Sequence, residues 1–170
     1  MAVVIPVRVE GVVVLPREQA PSMLLRETSG EGRQLAVVIG VPEAENLVNA
    51  LQERKLGRPS TIELLDQVIG ALGSSLRGVS ITGLQDGIFL AALQLADGVS
   101  VSARPSDAIA LAVRAGAFIE VAEEVLDEAS VSITIFDESG ESPVPGADET
   151  EIAQFRAQLD DITPDDFGSS

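Results

Sequence analysis

The chain has 170 residues, 45% of them hydrophobic, and a formal net charge of −16 at pH 7. That length suits one domain with a sizeable core, and the apolar runs are too short to cross a bilayer, so we expect no membrane association. Cysteine and histidine are both absent, which excludes disulfides, zinc–thiolate sites, cysteine nucleophiles and histidine bases. The N-terminus lacks a secretory signal pattern, so we expect a cytoplasmic location.

The negative charge is concentrated towards the C-terminus. Residues 120–170 hold 15 of the 27 acids and a single base, Arg156, whereas residues 1–119 hold 12 acids and 10 bases. Binding to a polyanion depends on lysine and arginine, so a uniformly acidic chain would be a poor partner for nucleic acid. Residues 1–119, the body of the chain, are nearly neutral and are therefore not excluded from binding nucleic acid.

The first part of the chain predicts a three-stranded meander followed by two helices. Residues 7–15, 23–28 and 33–39 have strand character and are separated by turn formers. Pro42 begins a helix with one apolar face formed by Ala44, Leu47, Val48 and Leu51. Ser60 and Glu63 have capping-box spacing and begin a second helix. Its predicted inward face comprises Leu65, Val68, Ile69 and Leu72.

A second meander and a buried helix are predicted next. Residues 79–82, 88–95 and 99–102 read as strands, with Asp86-Gly87 and Asp97-Gly98 as the turns. Residues 108–113 are apolar on every side, so that helix should be buried, and it should end at Gly116. A strand at 119–122, a helical turn through Leu126 and a strand at 131–136 complete the body. We therefore expect an α+β fold, with the two meanders forming a mixed or antiparallel sheet packed with helices.

Three regions are expected along the chain: a domain at 1–136, a flexible acidic linker at 137–148, and an acidic tail at 149–170. The linker lacks periodic apolar residues. The tail carries a narrow apolar stripe typical of a short amphipathic helix, which can bind a protein partner or the body. The stripe consists of Ile152, Phe155, Leu159 and Ile162.

The two halves share a weak similarity that is compatible with an internal duplication. Each meander leads through an x-Pro step into a helix, at Val41-Pro42-Glu43-Ala44 and at Arg104-Pro105-Ser106-Asp107. Proline is common at helix starts, so the match by itself is a weak signal.

The segment 104–114, RPSDAIALAVR, closely resembles the signature of the bifunctional nuclease domain family, small α+β proteins credited with cutting both RNA and DNA. Further similarities extend the resemblance over roughly residues 3–130, including Arg58-Pro59-Ser60-Thr61 and Asp86-Gly87 with Phe89. The resemblance implies a hydrolase of phosphodiester bonds, an RNase and DNase of low specificity that uses a divalent metal. It also implies nucleic acid as a partner and a homo-oligomer, a dimer or larger.

Phosphodiester cleavage needs charge stabilisation on the phosphate oxygens and often divalent metal held by carboxylates. The predicted catalytic residues are Arg104, Asp107 and Glu63. The predicted phosphate-binding residues are Arg58, Arg104 and Arg114. Asp107 and Asp86 are the predicted ligands of Mg²⁺ or Mn²⁺.

Five of these six residues also have a structural explanation. Asp107 and Arg114 suit the first and last turns of a helix, Arg104 and Asp107 can pair locally, Glu63 suits a cap, and Asp86 suits a hairpin turn. Asp107 and Arg114 lie about 10 Å apart along the helix and cannot pair directly.

The sequence also departs from the family pattern, and this motivates a second hypothesis. The usual histidine is replaced by Ile62 and the usual tryptophan by Val38, while Leu90 and Glu120 replace aromatic residues. The alternative function is a catalytically degenerate binding or regulatory module, whose acidic tail contacts a protein partner or masks the body.

Overall fold

The computed structural model describes residues 3–14, 19–54 and 57–133, and it contains eight strands and four helices in that part of the chain. The strands are β1 (Val4–Val14), β2 (Pro21–Glu27), β3 (Gln34–Val38), β4 (Leu76–Gln85), β5 (Ile88–Leu95), β6 (Ser100–Ala103), β7 (Phe118–Ala122) and β8 (Ser130–Val131). The helices are α1 (Val41–Leu51), α2 (Thr61–Ala71), α3 (Pro105–Ala115) and α4 (Glu123–Ala129).

The strands form one mixed sheet in the order β6-β5-β4-β7-β1-β2-β3-β8. Both predicted meanders are present as antiparallel units, and β7 joins them by pairing antiparallel with β1 and parallel with β4. The α+β prediction is therefore confirmed. Of the predicted last strand, β8 accounts for the start, and residues 134–136 lie outside the described residues.

The centre of the core is α3, which contacts α1, α2 and strands β4, β5 and β7. The expectation of a helix buried on all sides is confirmed, because residues 108–112 are all at most 1% exposed. Three of these five residues are alanines, whose small side chains let neighbouring elements approach closely. The helix ends at Gly116, whose φ of 65° is the left-handed conformation that favours glycine.

The sheet is curved around the core. Helix α4 contacts both β3 and β4, although three strands separate those two in the sheet order. In a flat sheet they would lie about 19 Å apart, too far for one short helix to reach both. Val125 and Leu126 of α4 accordingly pack into the same core cluster as Leu35 of β3 and Val79 of β4.

The predicted inward face of α2 is wrong in three positions. Leu65, Val68 and Leu72 are 38%, 44% and 80% exposed, and the buried residues of this helix are Ile62 and Ile69. The physical reason is that α2 packs chiefly against one element, α3, so it buries a narrower face than an ordinary amphipathic helix. In α1 the predicted face is partly confirmed: Ala44 and Leu47 are buried, whereas Leu51 is 38% exposed.

A compact unit spans Met1–Ser132. The predicted linker and the tail helix lie outside the described residues, and the predicted domain boundaries stay predictions. Within the part of the chain that the structure describes, no helix is long and apolar enough to span a membrane.

Candidate functional site

An open groove of about 550 Å³ lies where three chain segments meet. One wall is formed by the end of β3 and the start of α1, residues 36–40 with Glu43. The other two segments of the lining are the β4–β5 turn with the start of β5, residues 87–89, and the N-terminus of α3, residues 104–106. Its volume falls within the range of about 300–1,000 Å³ that is usual for small-molecule sites.

The packing of α1 against α3 brings two helix N-termini to this groove. Gly40 is the N-cap of α1 and Arg104 is the N-cap of α3; both have extended backbone and neither caps its helix through a side chain. The first-turn amides of a helix lack intrahelical acceptors and carry the positive end of its dipole. Two partial positive charges therefore lie beside Arg104, whose own charge is offset by the carboxylates of Glu43 and Asp107.

Arg104 is held by two carboxylates. Its Nε and Nη2 donate to the two oxygens of Asp107 at 2.7 and 3.1 Å, and its Nη1 donates to Glu43 Oε1 at 2.9 Å. Hydrogen bonds to Asp107 and Glu43 raise the pKa of Arg104, so the guanidinium stays charged. The Arg104 side chain is nevertheless 66% exposed, against 20% for Glu43. The local Arg104–Asp107 pair was predicted and is confirmed.

Glu43 was missed by the sequence analysis. Its carboxylate folds back over Gly40, and a side chain at position 40 would collide with Glu43 Oε2. Because Gly40 has no side chain, the carboxylate of Glu43 has the space in which it bonds to Arg104. Two signals in the sequence included Glu43: the x-Pro step at Val41-Pro42-Glu43-Ala44, which resembles the step at Arg104, and the similarity of Ile39-Gly40 with Glu43-Ala44 to the family's strand-to-helix step.

Glu63 and Arg114 lie at the other end of α3. Arg114 Nη2 donates to Glu63 Oε1 and, at 3.1 Å, to the carbonyl of Arg54. Glu63 also completes the predicted capping box, because it accepts from the Ser60 amide at 2.8 Å while Ser60 Oγ accepts from the Glu63 amide at 3.3 Å. The Ser60 amide and the Arg114 guanidinium hold the pKa of Glu63 below its ordinary value. This pair thus fastens α2 to α3.

The six predicted site residues are divided between two places. An 11-residue helix separates Arg104 from Arg114 by about 15 Å, so Glu63 and Arg114 do not reach the groove. Arg58 is exposed just before α2, outside the groove lining. Arg104 and the additional Glu43 line the groove together, and Asp107, outside the lining, is bonded to Arg104.

Asp86 occupies the β4–β5 hairpin turn beside the groove. Its φ is 50° and that of Gly87 is 78°, two successive left-handed residues of the kind that tight hairpins require. Gly87 lines the groove directly. Among the described residues, no three Asp or Glu side chains are grouped closely enough to form a protein-only metal cage.

The positions that depart from the family pattern are also dispersed. Val38 lines the groove and is 54% exposed, whereas Ile62 is 6% exposed within the core. Glu120 accepts a hydrogen bond from Ser80 Oγ at 2.6 Å. Of these three substitutions, only Val38 alters the groove wall.

Comparison with known proteins identifies the family of the chain. The family model described as "Bifunctional nuclease domain" matches residues 23–134. Two proteins of Mycobacterium tuberculosis are similar to the chain, "Uncharacterized protein Rv1829" of strain ATCC 25618 / H37Rv and "Uncharacterized protein MT1877" of strain CDC 1551 / Oshkosh. Each is 42% identical over 161 residues, covering 95% of this chain and 96% of the relative. The chain belongs to the bifunctional nuclease domain family.

Proposed function

We propose that the chain cleaves RNA and DNA phosphodiesters with low specificity at the groove beside Arg104, with the help of a divalent metal. The observation that carries this proposal is the exposed guanidinium of Arg104, fixed by Glu43 and Asp107 where two helix N-termini meet. Planar guanidinium groups bind phosphate oxygens with two hydrogen bonds. The preorganised helix ends add positive potential without any reorganisation cost at the moment of reaction.

The donor set around Arg104 suits Mg²⁺ or Mn²⁺. Mg²⁺ is usually held by one or two carboxylates together with substrate phosphates and waters, and Glu43 with Asp107 supplies two carboxylates on one guanidinium. A bound divalent ion would supply charge neutralisation on the phosphate and an activated water. Asp86, in the turn that ends at the groove, is proposed as an additional ligand.

The protein groups have separable roles in this proposal. Arg104 stabilises negative charge on the phosphate, and Asp107 holds the guanidinium in plane through two hydrogen bonds. Glu43 accepts the proton of the attacking water, because Arg104 bonds to only one of its oxygens, whereas both oxygens of Asp107 are engaged. Arg114 and Glu63 act as positioning residues that fix α3 against α2, and exposed Arg58 offers a peripheral phosphate contact.

A cleavage assay tests the proposal directly. Purified protein is incubated with single-stranded and double-stranded DNA and RNA in Mg²⁺, in Mn²⁺ and in EDTA. We expect metal-dependent cleavage that falls by about 100-fold or more in Arg104→Ala and Asp107→Ala. The matched control is Arg77→Ala, which removes an exposed arginine outside the groove lining. Substrates left intact with every metal would contradict the proposal.

A second candidate is a binding or regulatory module without catalysis. The observation that favours it is that Arg104 already makes three hydrogen bonds to carboxylates, which compete with a phosphate. In this hypothesis the acidic tail binds a protein partner or limits access of nucleic acid to the body. Residues 137–170 hold 10 acids and one base, so a variant ending before Asp137 is far less acidic. If that truncation changes neither nucleic-acid affinity nor partner binding, the tail mechanism is wrong.

We also propose that the chain forms a homo-oligomer in the cytoplasm, as the family resemblance implies. The exposed apolar side chains of α2 give such an assembly a surface to bury. They are Leu64, Leu65, Val68 and Leu72. Light scattering of the purified chain and of Leu72→Asp tests this: a dimer or larger assembly that the substitution dissociates supports it, and a monomeric wild type contradicts it.

A further inference from the structure

Ser106 presents an unused hydroxyl to the groove. The residue is 7% exposed and lines the groove between Arg104 and Asp107, on the first turn of α3. Its hydroxyl forms no hydrogen bond with any residue in the described ranges, although buried hydroxyl groups are normally paired. The Ser106 hydroxyl is also not fully enclosed by the protein, in contrast to the unpaired hydroxyl of Ser74. The hydroxyl therefore opens on the groove and is free for a ligand.

Ser106 is suited to binding and not to nucleophilic attack. A serine nucleophile needs a neighbouring base that accepts its proton. No described side chain hydrogen-bonds to Ser106, and the nearest carboxylate in sequence, Asp107, has both oxygens engaged by Arg104. A neutral O–H in the first turn of a helix, in a groove that Arg104 also lines, is a suitable donor to a phosphate oxygen.

Much of the groove lining is apolar, and it includes one aromatic ring. Phe89 is half-buried in the groove lining, beside Ile88, Val37 and Ile39. An aromatic side chain stacks on the face of a base of any sequence, but only when that base is unstacked from its neighbours. A duplex keeps both faces of each base covered, so this ring selects an unpaired nucleotide.

The charge of the groove selects a phosphodiester over a free mononucleotide. Arg104 carries one positive charge and its two partners carry one negative charge each, so the cluster is net negative. A phosphate monoester carries about −1.5 to −2 at neutral pH, whereas a diester carries a single charge. The smaller charge is repelled less by Glu43 and Asp107.

We propose that the groove binds one unpaired nucleotide within a single-stranded nucleic acid, with the base against Phe89 and an oxygen of its phosphodiester accepting a hydrogen bond from Ser106. The proposal rests on the proposed function only in placing nucleic acid at this groove. It adds the substrate class and two residues, Phe89 and Ser106, that determine it.

Binding without cleavage tests this inference. Fluorescence anisotropy in EDTA measures the affinity of the full chain for a labelled single-stranded oligonucleotide and for its duplex. We expect tighter binding of the single strand. Phe89→Leu should weaken it about tenfold or more, and Ser106→Ala about fivefold to tenfold. Phe89→Tyr keeps the ring and should restore binding. A mononucleotide should compete poorly.

Matched controls lie outside the groove. Phe118→Leu removes an exposed aromatic ring and Ser102→Ala the hydroxyl of an exposed serine, and both variants should bind the single strand like the wild type. Thermal melting checks that each variant is folded. Ser106→Ala removes no hydrogen bond between described residues, so its melting temperature should stay unchanged.

The outcomes separate this inference from the proposed cleavage activity. Equal affinity for single strand and duplex, or full affinity in Phe89→Leu and Ser106→Ala, would overturn the inference even if the wild type cleaves nucleic acid. Single-strand binding that depends on both Phe89 and Ser106 supports the inference even if the protein cleaves nothing with any metal. In that case only the cleavage proposal is wrong.

Discussion

Arg104 Nη1 donates to Glu43 Oε1 at 2.9 Å, and this ion pair joins residues that are 61 positions apart in the chain. It fastens the N-terminus of α3 to the first turn of α1 at the edge of the groove. Because Arg104 remains 66% exposed while paired, the same contact both fixes the guanidinium and leaves it accessible. So exposed an ion pair contributes little to the free energy of unfolding. Its main consequence is that it fixes the position of the Arg104 guanidinium.

Glu43→Gln should have opposite effects on two properties of the groove. Removing one negative charge a few ångströms from a bound phosphate should tighten metal-free binding of single-stranded nucleic acid several-fold to about tenfold. Loss of a proposed metal ligand should at the same time lower Mg²⁺-dependent cleavage. Anisotropy in EDTA and a cleavage assay in Mg²⁺ measure the two effects. The control is Glu45→Gln, an exposed carboxylate on the same helix, which should change neither; unchanged binding in Glu43→Gln would contradict the prediction.

Gly78→Ala should destabilise the sheet by about 1–3 kcal/mol. The ring of Phe118, on the neighbouring strand, lies where a methyl group at position 78 would project, and the two residues are paired in the β4–β7 register. Urea unfolding of Gly78→Ala, Phe118→Ala and the double variant forms a double-mutant cycle. We expect the double variant to be more stable than the sum of the single effects; strict additivity would show that the ring does not limit position 78.

The Glu27–Arg33 pair should make stability depend on pH in the acid range. Glu27 is 7% exposed and receives Arg33 Nε at 3.2 Å. The hydrogen bonds from Arg33 hold the pKa of Glu27 below its ordinary value of 4.5, although burial opposes this. Because the folded state has the lower pKa, the pair stabilises the fold above about pH 4.5, and this stability is lost as the pH falls through the folded pKa.

Melting temperature measured from neutral pH down to acid pH tests this assignment. The decrease below about pH 4.5 should be shallower in Glu27→Gln, because the variant has no proton to gain at that position. Glu31→Gln, an exposed carboxylate in the adjacent turn, is the control and should keep the wild-type slope. Equal slopes in wild type and Glu27→Gln would show that Arg33 does not perturb Glu27.

Two serine-to-alanine substitutions at opposite ends of α2 should have different effects on the free energy of unfolding. Ser60→Ala removes the N-cap acceptor and half of the capping box, at a cost of about 1 kcal/mol. Ser74 follows the helix, and its buried hydroxyl has no hydrogen-bond partner among the described residues, so Ser74→Ala should be neutral or stabilising. Urea unfolding compares the two; a cost at Ser74 as large as that at Ser60 would contradict this account of the hydroxyl.

The local features of the chain were predictable because their signals are local. The capping box of Ser60 and Glu63 and the Asp86-Gly87 hairpin both occur where the spacing of residues indicates them. The uniformly apolar run of α3 indicated its burial on all sides for the same reason. The apolar face of α2 was mispredicted, since periodicity shows which side chains are apolar and not how many neighbours a helix has.

The candidate site was only partly predictable. Arg104 and Asp107 are three residues apart on one helix end, so their pairing follows from helix geometry. Glu43 and Phe89 lie on other elements, and nothing in their local sequence places them beside Arg104. Arg114 and Glu63 were grouped with Arg104 by chemical type, but the length of α3 separates them from the groove.

By itself the sequence determined the family, the α+β class, the order of the elements and the concentration of acidic charge towards the C-terminus. These properties depend on residue type, spacing and local backbone preference. Only the tertiary structure decided that α1 and α3 meet at their N-termini, that Glu43 shares Arg104 with Asp107, and that Ser106 and Phe89 line the same groove. Such contacts depend on how distant elements pack around α3, which no local pattern in the chain records.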